Sequence, residues 1–594
     1  MFILLRMKKV RISLYTKCAV VIIALAMLLR IVLTALGWPV TNSDESTMGL
    51  MAVHIASFKD FPIFFWGQNY MGAFEAYLAA ALFHVFGVSV FTLRLVTMLE
   101  FAFFLVSMYI LTSLLYTKKL ALVTLLLLSV GSVMMLFTEF MAHGGYPEIL
   151  CFGAVAFLLA SWLAYSSDQD FSQHKQRLRM LAFGCWGLVV ALGFWSDYLF
   201  LSILLMSGLL LVLCCWRELL RGAFLPLLLG LFTGALPLII YNIHAPPGQN
   251  TLAVIKALHN SYWSYAASNP AYSHFPIYSQ VKGAMLFTLP LAMGAPPLCI
   301  ESNWIVLGLG GVPAFHCYAF IHSNAGLLLI ALCWSIGFML LWMISVFHEL
   351  RMLWKLWQWS PGQPGRSAQR QAFICHFARL VLLGSAGLTL LLFTSGPVSA
   401  AFPEYARYLV GLLIATPALI APLWGLSHDS HQESSSASKQ YPYAVHLSAV
   451  SLVLRRGILL FIGVILLLGT ISIFHEVPTA QAVNQQQNAL IRDLLRIKAT
   501  HIYSTDYWTC NRLAFLAKEQ IICAVVNDRL QNIATRPPRY YSIVKADPLS
   551  VIMFPEGSAQ SSAIAKRVAL SAGRYRRFVF DGYVVYQPVN GKTP

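Results

Sequence analysis

Two adjacent carboxylates, Asp44 and Glu45, lie just beyond the first membrane-length apolar run of the chain, from Cys18 to Gly37. An apolar helix of roughly 20 residues spans a bilayer, and basic residues before it favour a cytoplasmic start. The carboxylates are therefore predicted on the outer face, as a site for polar chemistry on a lipid-borne substrate. The alternative is structural, because both charges favour the N-terminal end of a following helix, with Ser43 as its cap.

Further candidates lie in the outer loops that follow. The first loop is aromatic and poor in charge where it leads through Trp66-Gly67-Gln68-Asn69-Tyr70 into Glu75. Ionisable groups at a membrane boundary are costly to bury and are functional by default. The polar residues of the next two outer loops are therefore candidates as well, namely Glu139, His143, Tyr146, Glu148 and Asp197.

Each of these candidates has a structural alternative. Glu148 follows Pro147 at a predicted helix start, where a carboxylate also stabilises the helix end. His143 is interpreted as a hydrogen-bonding residue, with a ligand role as the alternative. For Asp197 the alternative interpretation is a solvated turn residue.

The composition defines the broad class of protein. Of the 594 residues, 58% are hydrophobic and 11% are charged, and the mean hydropathy is +0.68. This is far too apolar for a soluble globular protein and is typical of a polytopic membrane protein. The first apolar run is longer than a signal-peptide core and has no small-x-small cleavage site after it, so it is predicted to be retained as a span.

Eleven apolar runs are predicted to span the membrane. They are 18–37, 90–115, 119–137, 149–165, 181–196, 198–215, 222–241, 325–347, 380–396, 408–425 and 457–474. With a cytoplasmic N-terminus, the basic clusters fall on the inner side, including Lys118/Lys119 and the run Arg351 to Arg379, as the positive-inside rule requires. The net charge of +17 is thereby explained without nucleic acid, and the odd number of spans leaves the C-terminal tail outside.

Two outer-loop segments need a separate interpretation. Met71 to Phe86 is apolar but short and carries Glu75, so we predict an interfacial helix and not a span. The loop 242–324 is long enough to be a re-entrant segment or a mobile lid.

The chain is predicted to contain two domains, a membrane domain at 1–475 and a small extracytoplasmic α/β domain at 476–594. In the second, strands are predicted at 501–504, 521–526 and 550–554, a strand or hairpin at 577–587, and helices at 507–517 and 563–571. Cys510 and Cys523 are close enough in the sequence to pair there, as are Cys299 and Cys317 in the long loop, but spacing alone does not decide either pairing.

Three motifs together resemble the GT-C glycosyltransferases. They are Asp44-Glu45 at the start of the first outer loop, Trp66-Gly67-Gln68-Asn69-Tyr70-Met71-Gly72 leading to Glu75, and the late Tyr405-Ala406-Arg407-Tyr408-Leu409. The resemblance covers about residues 10–475 and is strongest to the branch of protein O-mannosyltransferases and the aminoarabinose transferase of lipid A. It implies a GT-C-like fold and inverting transfer of a sugar from a polyprenyl-phosphate donor on the outer face.

The resemblance also implies roles for individual residues. Asp44 matches the catalytic base, Glu45 its acidic neighbour, and Arg407 an arginine near the donor phosphate. The candidate substrate-binding residues are Gln68, Tyr70, Glu75, His143, Glu148, Arg407 and Tyr408. The cofactor stays open: a divalent metal ion is one candidate, with Glu75, His143 and Glu148 as its candidate ligands.

The chemistry of such a transfer is consistent with these residues. A lipid-linked sugar phosphate already carries a good leaving group, so the enzyme needs one carboxylate base and a positive charge to hold the departing phosphate. A base on the face opposite the leaving group gives inversion. Arg407 can offer its planar fork to phosphate oxygens, and the alternative is an arginine that snorkels to the interface.

Two other functions compete with transfer. A polytopic transporter or lipid flippase would carry ionisable residues at mid-span, and Arg30 is the main in-span charge in the sequence. A receptor-like membrane protein would explain the outer tail, but it would not explain the carboxylates of the first loop. We therefore predict a hexosyl or pentosyl transferase of the cell (plasma or inner) membrane, acting on a lipid, glycan or protein acceptor and in contact with membrane lipids.

Overall fold

The computed structural model describes residues 13–167, 173–257, 260, 277–295, 324–357, 366–396, 403–424, 442–569 and 574–589. Most of the described chain is helical, and a five-stranded sheet lies near its C-terminal end.

Nine described helical elements are long and apolar enough to cross a membrane. They are Leu14–Ala35, Val90–Leu115, Tyr146–Tyr165, Gln173–Ser196, Tyr198–His244, Ala325–Trp357, Ala368–Thr394, Tyr405–Trp424 and Leu452–Arg496. The helices Lys118–Ser129 and Val133–Phe140 add a tenth if the pair, bent by 88°, is one span. Many side chains on these helices are exposed leucine, isoleucine, valine and phenylalanine, as a lipid-facing surface requires. The chain is a multi-pass helical membrane protein.

If the bent pair is counted as one span, the predicted number of eleven spans differs from the resulting ten at one element. Tyr198–His244 has 47 residues and contains two of the predicted runs, 198–215 and 222–241. The element is interrupted at Gly222, whose φ of 114° is non-helical. A helix of 47 residues would be about 70 Å long, more than twice the bilayer core, so this interruption is where two crossings would be separated.

The helix ends fall into two groups that lie on opposite faces. On one face Arg179 contacts Ser166 and pairs with Glu218, while Arg379 donates to the carbonyl oxygen of Leu115. This is the face that the positive-inside pattern predicts to be cytoplasmic. The opposite face carries the loops that contain the candidate site residues.

The first loop on that opposite face is ordered by two helices and a short hairpin. The first-loop helix is Ser43–Ala56, strands β1 and β2 are Phe64–Phe65 and Gln68–Gly72, and an apolar helix follows at Phe74–Phe86. The last of these has 13 residues and is about 20 Å long, too short to cross a bilayer of about 30 Å. The apolar run 71–86 is thus a helix of the loop.

The long loop 242–324 falls mostly outside the described residues. Its described part includes Ile277–Gly283 and Leu289–Ala292, joined by a π-helical segment, Ala284–Thr288. Residues Ala284 to Ala292 of this part pack into the core of the membrane domain, with the exception of the half-buried Met285. The predicted Cys299–Cys317 pair lies outside the described residues.

A five-stranded sheet forms the core of the C-terminal domain. Its strands are β3 (His501–Ser504), β4 (Ile522–Val525), β5 (Val551–Pro555), β6 (Tyr575–Phe580) and β7 (Tyr583–Pro588). They lie in the order β4-β3-β5-β7-β6, in which β3, β4 and β5 are parallel and β6 and β7 form an antiparallel hairpin. Helices flank it at Tyr507–Leu516, Tyr540–Ala546 and Ala559–Ala569. The predicted α/β class is confirmed, and Tyr540–Ala546 is a helix that the sequence analysis did not predict.

The connection between membrane domain and C-terminal domain is continuous. One helix runs from Pro442 to Arg496, through the predicted boundary at 475/476. Its last turns contribute Leu490 and Leu494 to the core of the C-terminal domain. In the same core Cys510 and Cys523 form a disulfide, with a Cα–Cα distance of 5.3 Å. Such a bond is typical of an oxidising compartment and agrees with an extracytoplasmic domain.

Candidate functional site

Asp44 and Glu45 start the same helix but have different surroundings. The cap of the first-loop helix is Asn42, whose side-chain oxygen accepts from the Glu45 N–H at 2.8 Å, so the prediction of Ser43 as the cap was wrong. Glu45 is fully buried and accepts two hydrogen bonds from the Arg94 guanidinium, at 2.8 and 2.7 Å. This forked geometry makes Glu45 an internal partner of Arg94.

Asp44 keeps part of its carboxylate exposed and meets the C-terminal domain. Its Oδ1 accepts a hydrogen bond from the Tyr507 hydroxyl at 3.0 Å and lies 3.6 Å from Nη2 of Arg536. Within the described chain, no hydrogen bond to Oδ2 of Asp44 is present. Of the two adjacent acids, Asp44 is therefore the one that has an oxygen available for a substrate.

A tight turn places His143 beside this helix. Gly144 and Gly145 have φ values of 95° and 77°, and a Cβ on Gly145 would lie 2.7 Å from the Cβ of Asp197, so glycine is required there. His143 Nδ1 donates to the Met141 carbonyl oxygen at 2.8 Å, which leaves Nε2 as an acceptor. Burial lowers the pKa of His143 to about 4, helped by the charge of Arg407, so the ring is neutral near pH 7.

Three buried glutamates meet behind the turn. Each of Glu75, Glu100 and Glu148 offers a carboxylate oxygen, and these oxygens lie within 4.8 Å of one another. Glu75 Oε2 accepts from the Gly144 N–H at 3.3 Å, whereas neither oxygen of Glu100 has a hydrogen-bond partner among the described residues. Burial, with the charges of Glu148 and Glu100, holds the pKa of Glu75 well above its usual range. These three carboxylates are the described groups that suit a divalent cation, and His143 is not among them.

An aromatic cavity of about 290 Å³ opens beside the turn. Its lining includes Tyr70, Tyr146, Asp197, Phe393 and Tyr408. The Arg407 guanidinium carbon lies 5.7 Å from the Tyr146 ring centre and 5.5 Å from that of Tyr408. The cavity therefore combines aromatic walls, a carboxylate and a neighbouring positive charge.

Asp197 is a buried wall of this cavity, and its interpretation as a solvated turn residue was wrong. It caps the next helical turn, accepting from the Leu199 N–H at 2.8 Å, and its exposed fraction is 6%. Met71 of strand β2 forms an isolated bridge with Asp197, which joins the first loop to this turn. Burial raises the pKa of Asp197 to about 7, against the opposing effects of the Leu199 N–H and Arg407.

The structure thus brings the sequence-predicted residues of three segments onto one face. Asp44, Gln68, Tyr70 and Glu75 come from the first loop, His143 and Glu148 from the second, and Arg407 and Tyr408 from the late segment. Glu139 lies apart from these residues: it is buried and forms an ion pair with Arg30.

Four residues of this region were missed in the sequence analysis. Glu100 could have been found from the sequence, because it is a lone carboxylate inside the apolar run 90–115. It is an in-span charge in addition to Arg30. Arg94 stood at the start of the same run without an assigned partner. Tyr507 and Arg536 of the C-terminal domain had no local signal, because their contacts with Asp44 join residues more than 400 positions apart.

The fold and site define a class of protein, a multi-pass membrane protein with an acidic, aromatic face beneath an α/β domain. No family model matches the chain, and no curated protein matches it. Among solved structures it is similar to ArnT from Cupriavidus metallidurans bound to undecaprenyl phosphate, with 12% identity over 98% of this chain and 99% of that chain and a TM-score of 0.47.

Two further structures are similar at the same level of identity. The Archaeoglobus fulgidus oligosaccharyltransferase in complex with Zn and sulfate has 12% identity, over 96% of this chain and 74% of that chain, with a TM-score of 0.46. Arabinosyltransferase EmbB from Mycobacterium smegmatis has 14% identity, over 70% of this chain and 42% of that chain, with a TM-score of 0.28. All three are GT-C glycosyltransferases, the superfamily that the sequence motifs resemble.

Proposed function

We propose that the protein is a membrane glycosyltransferase that moves a sugar from a polyprenyl-phosphate donor to an acceptor hydroxyl on the outer face, with inversion. The observation that carries the proposal is the aromatic cavity of about 290 Å³ with Asp197 in its wall and Arg407 beside it. Aromatic rings contact the apolar face of a sugar, and a carboxylate accepts from its hydroxyls. Neither group would be needed to bind an apolar ligand.

The proposed reaction requires one base and one phosphate-binding group. Asp44 takes the proton of the acceptor hydroxyl while the acceptor oxygen bonds to the anomeric carbon. The bond from that carbon to the phosphate oxygen breaks, and its electron pair leaves with the polyprenyl phosphate. Arg407 offers a planar fork to this leaving group, in which negative charge accumulates.

A second cavity suits the lipid part of such a donor. It has a volume of about 410 Å³ and an almost wholly apolar lining, which includes Met135, Met293, Trp334, Leu413 and Leu466. Leu413 belongs to the same 3-10 helical segment as Arg407, Pro403–Ala415. An isoprenoid chain in this cavity would lie along the segment whose first part carries Arg407. The acceptor is a lipid, glycan or protein.

The three buried glutamates support a divalent cation as part of the proposal. Three carboxylates in one buried cluster cannot all be ionised unless a cation neutralises them. Oxygen ligands suit Mg²⁺, Mn²⁺ or Ca²⁺, and Glu75, Glu100 and Glu148 would hold the ion. Bound there, it would supply positive charge behind the turn that carries His143, and the base remains Asp44.

One observation favours the alternative of a transporter or lipid flippase. Ionisable groups lie inside the membrane domain, notably Glu100 and the pair Arg30 and Glu139. Such groups are typical of ion pathways. Arg30, however, has Glu139 as its partner and lies 3.7 Å from the Phe101 ring centre, so this pair is internally satisfied.

The test is a transfer assay with the purified full-length protein. A panel of polyprenyl-phosphate hexoses and pentoses is offered, and release of polyprenyl phosphate is measured by mass spectrometry. Asp44→Asn should lower the rate about 10²–10⁴-fold while the protein stays folded, as loss of a general base does. Arg407→Ala should lower donor use about ten- to a hundredfold, and Arg407→Lys should recover part of it.

Three results would contradict this proposal. Full turnover by Asp44→Asn would contradict the assignment of Asp44 as the base. Transfer from a water-soluble nucleotide sugar, at a rate that Arg407→Ala does not change, would contradict the assignment of a polyprenyl-phosphate donor. Movement of the intact lipid-linked sugar across a vesicle membrane without release of polyprenyl phosphate would favour the flippase.

A further inference from the structure

The carboxyl edge of the C-terminal sheet faces the first-loop helix of the membrane domain. Tyr507 begins the helix that follows parallel strand β3, and Arg536 lies in the connection that follows parallel strand β4. In open α/β sheets, ligand-binding residues concentrate beyond the carboxyl ends of the parallel strands. In this protein the two side chains at that edge meet Asp44.

Arg536 and Tyr507 form a connected set of hydrogen bonds around Asp44. Arg536 Nε donates to the Tyr507 hydroxyl oxygen at 2.7 Å, and that hydroxyl donates to Asp44 Oδ1 at 3.0 Å. Arg536 Nη1 donates to the Trp66 carbonyl oxygen at 3.0 Å. With its amide oxygen turned toward Arg536, Gln68 accepts from Nη1 and Nη2 at 3.2 and 3.0 Å. One guanidinium thus joins Asp44, the β1–β2 hairpin and Tyr507.

This set leaves the two oxygens of Asp44 in different states. Oδ1 is held by Tyr507 and faces Arg536 at 3.6 Å. Oδ2 accepts no hydrogen bond within the described chain and is available to an incoming hydroxyl. Burial, followed by the charge of Asp44, raises the pKa of Tyr507, so its hydroxyl remains a donor.

Separate contacts hold the C-terminal domain on the membrane domain. Asn511 Nδ2 donates to Ser43 Oγ at 2.8 Å, and His54 Nε2 lies 2.7 Å from Glu519 Oε1. Phe515 packs so closely on Gly49 that a Cβ there would lie 2.4 Å from the ring. Loss of one hydroxyl at Tyr507 therefore leaves the docking of the domain in place.

We propose that Tyr507 and Arg536 are positioning residues for Asp44, so that the C-terminal domain completes the active site of the membrane domain. The inference rests on the proposed function, since it takes Asp44 as the base. Tyr507 and Arg536 orient the carboxylate and keep Oδ2 toward the acceptor. They act through Asp44 and need no contact with the sugar.

The experiment is a double-mutant cycle in the full-length protein. Tyr507→Phe, Arg536→Gln and Arg536→Lys are each made alone, and Tyr507→Phe is also combined with Asp44→Asn. Initial rates on the polyprenyl-phosphate sugar that the wild-type protein consumes are measured over a range of donor concentrations, which gives kcat and KM for each variant. Tyr583→Phe is the matched control, because its hydroxyl donates to Asp506, in the same domain, at 2.8 Å.

Tyr507→Phe and Arg536→Gln should each lower kcat about tenfold or more, with the KM for the donor changed less than about twofold. Arg536→Lys should recover part of the loss, because it keeps the charge but not the fork. Tyr507→Phe should have no further effect in Asp44→Asn, and Tyr583→Phe should match the wild type.

Two outcomes would overturn the inference while the proposed function stands. One is wild-type turnover by both Tyr507→Phe and Arg536→Gln when Asp44→Asn is inactive. The other is an equal fold-loss from Tyr507→Phe with and without Asp44, which would show that the hydroxyl acts elsewhere. Full activity of Asp44→Asn would instead overturn the base assignment itself, and this inference with it.

Discussion

At the scale of single residues, the neighbouring acids Asp44 and Glu45 carry the same charge but differ in burial and in hydrogen-bond partners. Glu45 is fully enclosed and paired with Arg94, whereas Asp44 is partly open and has an available oxygen. A buried carboxylate paired by a forked arginine stabilises the fold, and an accessible carboxylate is suited to accept a proton. In the sequence only the family resemblance distinguished Asp44 from Glu45, because neither burial nor hydrogen-bond partners can be read from two adjacent positions.

Glu45→Gln should therefore act on stability. It leaves the Arg94 charge buried without its partner, and breaking one side of a buried ion pair costs about 3–5 kcal/mol. We expect the thermal unfolding temperature in detergent to fall by several degrees, whereas Asp44→Asn should unfold close to the wild type. Equal unfolding temperatures for Glu45→Gln and wild type would contradict a structural role of this pair.

At the scale of elements, three helices each bring one glutamate to a common point. Glu75 comes from the short helix Phe74–Phe86, and the other two come from membrane helices, Glu100 from Val90–Leu115 and Glu148 from Tyr146–Tyr165. The packing of these helices forces carboxylates together that are far apart in the chain. Either protons or a cation must neutralise them.

The pH dependence of stability tests this cluster. The folded-state pKa of Glu75 is raised, so the folded state binds more protons than the unfolded state, and stability is lost as pH rises above the ordinary value of about 4.5. A divalent cation should replace the protons, so millimolar Mn²⁺ or Ca²⁺ should raise the unfolding temperature at pH 8 more than at pH 5.

Glu100→Gln is the control for the cation. It removes one carboxylate of the cluster, so metal should no longer raise the unfolding temperature. The part of the pH dependence of stability that comes from Asp197 should remain. An unfolding temperature of the wild type that is indifferent to Mn²⁺, Mg²⁺ and Ca²⁺ at pH 8 would mean that protons alone neutralise the cluster.

At the scale of the whole molecule, the site lies where two domains meet on one face. The membrane domain contributes Asp44 and Arg407, and the C-terminal domain contributes Tyr507 and Arg536. The positive-inside rule predicts that basic clusters such as Lys118/Lys119 lie on the opposite, cytoplasmic face. The proposed reaction on the outer face depends on this orientation.

Cysteine labelling in cells tests the orientation. In a background that retains only Cys510 and Cys523, single cysteines replace four exposed residues, Lys59, Lys118, Gln173 and Arg529. A membrane-impermeant maleimide should label the positions 59 and 529 in intact cells, and positions 118 and 173 only after permeabilisation. Protection of position 529 alongside labelling of position 59 would mean that the number of crossings between them is odd.

The class of protein and much of its layout could be predicted from composition and from the length of the apolar runs. Apolar length predicts spans because a bilayer has one thickness, and each predicted run overlaps one or two described helices. Alternation of strand and helix signals likewise predicted the C-terminal α/β domain. The first-loop carboxylates were found because a charge just beyond an apolar run is conspicuous in any membrane protein.

Which of these groups lie side by side follows from the packing of helices and the docking of the C-terminal domain. The tertiary structure paired Glu45 with Arg94, added Glu100 to Glu75 and Glu148, and set Tyr507 and Arg536 of the C-terminal domain against Asp44. The physical reason is that hydrogen bonds and burial depend on distances in space, and these partners are separated by between about 25 and 490 positions in the chain. The residue types around one position in the chain do not predict such distances, because helix packing and domain docking define them.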